Sequence, residues 1–233
     1  MPERAGAGER NAQRQSIGKV IQMARFREAR RFRAQRLVES YWEALRDGGS
    51  VPARGDVDPR GIEDALEYAF ILERISPRHG RLRIAGRHLC DLAGAEVRGM
   101  PLSVLFEAQS RDALGEALRE VLERPAVAEL ALSAPAGLGR HALEGRLLLL
   151  PLRSDAGEIS RALGCLETEG RIGRTPRRLS ILETHLRPLP GVAEKAPAPA
   201  AQGFAEPARP FDVADRRAHK APHLRVVVSN TDD

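Results

Sequence analysis

The pattern of hydrophobic and polar residues first becomes regular between residues 37 and 45. Apolar side chains recur there every three or four positions, which is the spacing of one face of an amphipathic helix. The Asp-Gly-Gly sequence that follows ends the helix, because glycine readily adopts the left-handed backbone found at helix ends. The residues of this apolar stripe are Leu37, Val38, Tyr41, Trp42 and Leu45. We predict a helix that lies against the rest of the protein through Tyr41 and Trp42.

The segment after this helix is rich in residues that constrain the path of the backbone. A Gly-Gly pair releases the chain from the helix, and Pro52 extends it. Asp58 then offers an N-cap, and Pro59 a first-turn residue, for a short helix over residues 61–66. We predict that this segment is a strap that fixes the Trp42 side of the helix on a sheet.

Five segments carry the alternation or the short apolar runs typical of strands. The first two, AFILERI and RLRIAG, flank the turn sequence SPRHG and predict a hairpin. In RLRIAG we expect Leu82 and Ile84 to face the core and the intervening arginines to face water. The last three segments cover residues 127–133, 142–150 and 159–167.

Between the hairpin and the last three strands the period becomes helical. Short helical pieces are predicted at residues 88–92 and 101–106, and a longer helix at residues 110–123. Alternating strand-helix units are absent from this order, so helices grouped between strands indicate an α+β domain. We predict a five-stranded antiparallel sheet with short helices on one face, plus the N-terminal helix.

Three stretches resemble a known family. They are YWEALRDGGSVPARGDVDP, RLRIAGRHLCDLAGAEVRGMPL and LEGRLLLLPLRSDAGEISRALGCLE, and together they fall within residues 37 to about 167. In order and spacing they are similar to a divergent class of bacterial stand-alone PAS domain. The resemblance implies the PAS order of elements and a sensory or regulatory role. It names no ligand, since PAS domains resemble one another whether they bind haem, flavin, a small acid or a partner.

The resemblance implies that any ligand pocket lies between the short helices and the inner face of the sheet. The same apolar residues can instead simply fill the core, and both interpretations stay open. The cofactor is unknown: Cys90 stands in GRHLCDLAG, which differs from the N-C-R-F-L-Q sequence of light-sensing flavin domains, and His88 is the candidate axial ligand for haem. The candidate pocket residues are Ile84, His88, Leu89, Leu92, Leu105, Leu130 and Leu149.

Catalytic and metal-binding motifs with the required spacing are absent from the sequence. His79, His88, Cys90 and Asp91 form a loose grouping that lacks the spacing of a metal site. The sequence also lacks a Walker-type loop, a G-x-S-x-G motif and a dinucleotide-binding fingerprint. We predict that the protein is not an enzyme and has no metal ligands.

Composition divides the chain of 233 residues into three parts. Residues 1–36 form a basic, partly helical arm, residues 37–170 the PAS-like domain, and residues 171–233 a mostly disordered tail rich in Pro and Ala. The net charge of +5 arises from 37 basic and 32 acidic residues, and the excess is concentrated in the arm. The arm can hold an acidic protein, a nucleic-acid backbone or an anionic lipid, or form a solvated face. Its candidate partner-binding arginines are Arg25, Arg27, Arg30, Arg31 and Arg33.

Two cysteines without a C-x-x-C pair, and the lack of an apolar signal-peptide core or a membrane-spanning apolar run, predict a cytoplasmic protein. We predict a non-enzymatic signalling or regulatory protein that acts by binding a protein partner or a second copy of itself. Two alternatives remain open. One is a PAS sensor of a small ligand or haem, and the other is a binder of nucleic acid or an anionic membrane surface through the arm.

Overall fold

A computed structural model describes residues 31–46 and 49–190 of the chain. It contains three α-helices, α1 (Arg33–Arg46), α2 (Arg87–Ala93) and α3 (Arg111–Glu123). Short 3-10 helices cover Arg54–Asp56, Pro59–Ala65, Leu102–Leu105 and Ala108–Ser110. The strands are β1 (Ala69–Ser76), β2 (His79–Ala85), β3 (Ala126–Ala134), β4 (Leu143–Arg153), β5 (Ile159–Glu169) and β6 (Ser180–Pro188).

The strands form one antiparallel sheet in the order β2-β1-β5-β4-β3-β6. The five predicted strands are present, but the predicted number of strands is wrong, because β6 adds a sixth. It pairs with β3, for example at Leu130 and Thr184, and lies in the range assigned to the tail. The sequence pattern did not predict β6, because it is an edge strand whose residues 182–186 are all exposed. It therefore lacks the alternation of buried and exposed residues seen in the other strands.

Apolar side chains cover both faces of the sheet. On the helical face, Leu89 of α2 and Leu114 of α3 belong to the same core as Leu130 of β3. On the outer face, Val38 and Trp42 of α1 belong to a second core with Leu148, Leu150 and Leu163 of the sheet. The domain therefore has three layers, with α2 and α3 on one side of the sheet and α1 on the other.

The segment between α1 and β1 holds the helix on the outer face. Trp42 is 0% exposed, and its Nε1 donates to the carbonyl oxygen of Pro151 at 3.0 Å. Asp58 Oδ1 accepts from the backbone N–H of Arg60 at 3.0 Å, and Pro59 takes the first position of the following 3-10 helix. The hydroxyl of Tyr41 accepts from the Asp58 N–H at 2.7 Å, so the strap is joined to both α1 and the next helix.

Candidate functional site

The predicted pocket residues of the helical face lie together in the core. Their side chains come from α2, from the 3-10 helix Leu102–Leu105 and from two neighbouring strands. Five of the seven predicted pocket residues are at most 1% exposed, so their side chains contact other protein groups rather than solvent. These residues are Leu89, Leu92, Leu105, Leu130 and Leu149.

Two glycines let side chains from β1 pack closely on the helical face. A Cβ atom at Gly164 would stand 2.0 Å from Cζ of Phe70, so the Phe70 ring occupies the space above β5. A Cβ atom at Gly80 would stand 2.4 Å from a methyl carbon of Leu72. Large side chains of β1 thus occupy the space that side chains at Gly164 and Gly80 would need. They fill part of the region where a PAS-type pocket was expected.

His88 lies at the rim of this core, on α2, and is half-buried. Its Nε2 is 3.0 Å from the hydroxyl oxygen of Thr168, and its ring centroid is 4.9 Å from that of Tyr68. Burial lowers the pKa of His88, which favours the neutral imidazole. Burial and the neighbouring carboxylate of Glu67 raise the pKa of the Tyr68 hydroxyl to about 12. His88 therefore has a local polar partner, Thr168, at the edge of the core.

The prediction that Ile84 and Leu82 share a core-facing side of β2 is wrong. In the β1-β2 pairing Ile71 lies opposite Ile84 but Leu72 lies opposite Leu82, so Arg83 is an extra residue in β2. This bulge places Leu82, which is fully buried, and Ile84, which is 51% exposed, on opposite faces. Ile84 is thus separated from the other candidate pocket residues.

On the outer face Ile84 lines an open apolar cavity of about 110 Å³, here called the outer groove. Its floor is formed by β1, β2 and β5, and its wall by the strap. Leu66, at the rim, is 40% exposed. The apolar residues of the outer groove that matter below are Val57, Ile62, Leu66, Ile71, Ile84 and Leu163.

One arginine lines this outer groove, and three more lie beyond it on the strands that form its floor. Arg54 lines the cavity itself. The carboxylate of Glu73 accepts from Arg81 at 2.9 Å and pairs with Arg83, and Arg161 lies 3.8 Å away. Hydrogen bonds from Arg83 and Arg81 lower the pKa of Glu73 to about 2, so this carboxylate is charged at neutral pH. The cluster of Glu73 with Arg81, Arg83 and Arg161 holds one negative and three positive charges, so its net charge is positive.

The start of α1 is fixed to β5 by a contact that the sequence did not indicate. The backbone N–H of Gln35 donates to Glu167 Oε2 at 3.2 Å, and the N–H of Ala34 also bonds to this carboxylate. A carboxylate at the first turn satisfies free N–H groups and interacts well with the helix dipole. Burial raises the pKa of Glu167, while these backbone hydrogen bonds oppose that shift. Glu167 thus acts as a tertiary N-cap for α1.

Comparison with known proteins identifies the family. A family model described as a PAS domain matches residues 30–167. The chain belongs to the PAS domain family. This match covers the hairpin, the three helices, β3, β4 and most of β5, and it ends at residue 167, before β6. A search of curated proteins finds no match.

Solved structures similar to this PAS domain include three light-oxygen-voltage proteins. One is a light-oxygen-voltage domain studied with a flavin analogue, at 18% identity and a TM-score of 0.38, with 48% of this chain and 84% of that chain covered. The dark structure of the blue-light photoreceptor Aureochrome1 LOV has 14% identity and a TM-score of 0.34, over 47% and 80% of the two chains. An RNA-binding light-oxygen-voltage receptor has 19% identity and a TM-score of 0.35, over 51% and 36%.

The candidate arginines of the arm are only partly described. Arg25, Arg27 and Arg30 lie outside the described residues. Arg31 pairs with Glu169 at 2.6 Å and with Glu144, and these hydrogen bonds raise its pKa. Arg33 lies 3.7 Å from the carboxylate of Asp64. The two described candidate arginines, Arg31 and Arg33, are therefore paired with acidic groups of the PAS domain itself.

Within residues 31–46 and 49–190, His, Cys, Asp and Glu side chains form no group of three that could hold a metal ion. No helix in these ranges has the length and apolar content needed to cross a membrane. Both described cysteines are free, and burial raises the pKa of the Cys165 thiol.

Proposed function

We propose that this PAS domain is a non-enzymatic regulatory protein that binds a protein partner through the outer groove. The observation that carries the proposal is an exposed apolar cavity on the sheet, lined by Ile84, which is 51% exposed. Exposed apolar surface of this kind is costly in water unless a partner covers it. The family supports a sensory or regulatory role in general.

The chemistry of the outer groove favours an acidic, amphipathic segment as its occupant. Apolar side chains of such a segment would cover Ile71 and Ile84, while its carboxylates would face Arg81, Arg83 and Arg161. A second copy of the same face would bring two basic clusters together, which costs free energy. The occupant is therefore a different protein with acidic residues beside an apolar stripe.

The chemical groups that line the outer groove also suit a binding role. The side chains that line the outer groove are mainly apolar, with the guanidinium of Arg54 beside them, a combination that suits binding and orienting a partner. The reduced cysteines suit a cytoplasmic protein, which is the compartment we propose.

Variants of two exposed apolar residues test the proposal. Ile84→Glu places a like-sized acidic group in the outer groove, and Leu182→Glu makes the same change on β6, where Leu182 is 68% exposed. Affinity capture from native cells with the full chain should recover partners with wild type and Leu182→Glu that are lost with Ile84→Glu. A synthetic acidic segment of a recovered partner should then bind the purified protein more weakly as salt rises. Equal recovery by all three proteins would contradict the proposal.

A further inference from the structure

A second cavity, of about 340 Å³, opens between the β3-β4 turn and the loop that leads to β6. Its walls are held together by one backbone hydrogen bond and one from a side chain to the backbone. Arg174 N–H donates to the carbonyl oxygen of Gly139 at 3.0 Å, and Arg140 Nε donates to the carbonyl oxygen of Arg174 at 3.1 Å. The residues that line the cavity are Gly137, Leu138, Arg140, Arg174, Thr175 and Pro176. This lining shares no residue with the outer groove.

Behind the cavity a third arginine joins the same two loops. Arg177 is 2% exposed, and its guanidinium donates to the carbonyl oxygens of His141 at 2.7 Å, Pro135 at 3.3 Å and Ile172 at 2.5 Å. Its described acceptors are neutral, so its charge has no carboxylate in contact. Burial and the nearby charge of Arg140 both lower the pKa of Arg177. The three carbonyl oxygens accept from its N–H groups, and its uncompensated charge adds to the positive potential of the two loops.

The two arginines at the mouth of the cavity add to this positive charge. Among the described residues, neither Arg140 nor Arg174 forms an ion pair with an acidic side chain. By contrast, Arg187 on β6 pairs with Glu39 at 2.7 Å and Glu43 at 3.2 Å. Three guanidiniums near one concave surface create a local positive potential that attracts anions.

We propose that this cavity binds a small molecule through a phosphate-class oxyanion, with Arg140 and Arg174 as its ligands. A guanidinium presents paired N–H donors that match the geometry of a phosphate. Arg140 and Arg174 both line the cavity. The volume of about 340 Å³ lies within the range of small-molecule sites, so it has room for the organic part of a phosphate ester. The apolar side chains of Leu138 and Pro176 can contact that part.

This inference goes beyond the proposed function, because it assigns a ligand site outside both the helical-face core and the outer groove. Calorimetric titration and amide chemical-shift mapping of the full chain with inorganic phosphate, pyrophosphate and adenosine monophosphate test it. Pyrophosphate and the ester should bind saturably and more tightly than inorganic phosphate. The largest shifts should fall at residues 137–140 and 174–176.

Charge-removing variants show whether the cavity is the site. Arg140→Gln and Arg174→Gln should each weaken pyrophosphate binding by about tenfold, the loss expected for one charge-assisted contact. Arg60→Gln, at an exposed arginine on the strap, removes the same charge elsewhere and should leave binding unchanged. Unchanged thermal melting of the variants would exclude unfolding as the cause. Equal loss with Arg60→Gln, binding of inorganic phosphate only, or no saturable binding would each overturn the proposal.

Discussion

The ring of Phe70 occupies the place of a side chain on Gly164: a Cβ atom added to that glycine would stand 2.0 Å from Phe70 Cζ. The two residues are direct partners in the β1-β5 pairing, so neither can move without disturbing the sheet. The Phe70 ring thereby fills space in the core on the helical face of the sheet.

Gly164→Ala should therefore destabilise the domain by about 2 kcal/mol, because the added methyl group overpacks a buried site. Gly55→Ala provides the matched control, since a Cβ at Gly55 meets no atom within 4 Å. Urea denaturation followed by circular dichroism measures both. Adding Phe70→Leu to Gly164→Ala should recover part of the loss, and a double variant no more stable than Gly164→Ala would argue against the contact as its cause.

Trp42 should contribute both packing and a hydrogen bond to the docking of α1. Trp42→Ala should cost about 3 kcal/mol for loss of a large buried side chain, and Trp42→Phe about 1 kcal/mol for loss of the bond to Pro151. Trp42 is the only tryptophan in the chain, so its fluorescence in the wild-type protein reports directly on α1 docking. Equal stability of Trp42→Phe and wild type would show that the Nε1 hydrogen bond makes no net contribution.

Glu73 should make stability depend on acid pH. Its pKa is lowered to about 2 from 4.5, so the folded state favours the charged carboxylate. The resulting stabilisation is present above the unfolded-state pKa and is lost as pH falls from about 4.5 toward 2. Glu73→Gln should cost about 1 kcal/mol at pH 7, a modest value because the arginine partners are partly exposed.

Thermal melting of wild type and Glu73→Gln across this pH interval measures the effect, and the two melting curves should converge as the carboxylate is protonated. Glu158→Gln, at an exposed glutamate, is the control. A difference between wild type and Glu73→Gln that stays constant down to pH 2 would be incompatible with the arginine cluster as its source.

Glu167 should stabilise the first turn of α1. Glu167→Ala removes the acceptor for the N–H groups of Gln35 and Ala34 and should cost about 1 kcal/mol, the usual value of an N-cap. Glu167→Gln keeps an acceptor oxygen and should lose less. Hydrogen exchange at residues 34–38 should accelerate in Glu167→Ala before global unfolding, and unchanged exchange there would rule out the cap.

The sequence predicted those features that depend on local patterns. Five strands and the helices α1 and α3 have the periodicity of elements with one buried face, and Asp58-Pro59 is a local helix-start signal. Contacts between distant residues leave no such pattern. Glu167 caps a helix 132 residues earlier in the chain, and only the fold brings these groups together.

Two further features could not be predicted from the sequence: the face of the sheet on which Ile84 lies and the burial of Arg177. One extra residue in β2, Arg83, reverses the face on which Ile84 lies, and a bulge has no composition of its own. The segment around Arg177 is rich in polar and basic residues and shows no apolar period. Its guanidinium is nevertheless buried against three carbonyl oxygens, which become neighbours only when β6 pairs with β3.

Crosslinking tests most directly whether the outer groove binds an acidic protein partner. A photo-crosslinking phenylalanine derivative is incorporated at position 84 of the full chain in its native cells, with position 182 as the control. We expect a covalent adduct with another protein from position 84 and not from position 182, with the crosslinked peptide rich in Asp and Glu beside apolar residues. Adducts from position 182 alone, or adducts from position 84 with a second copy of this chain, would contradict it.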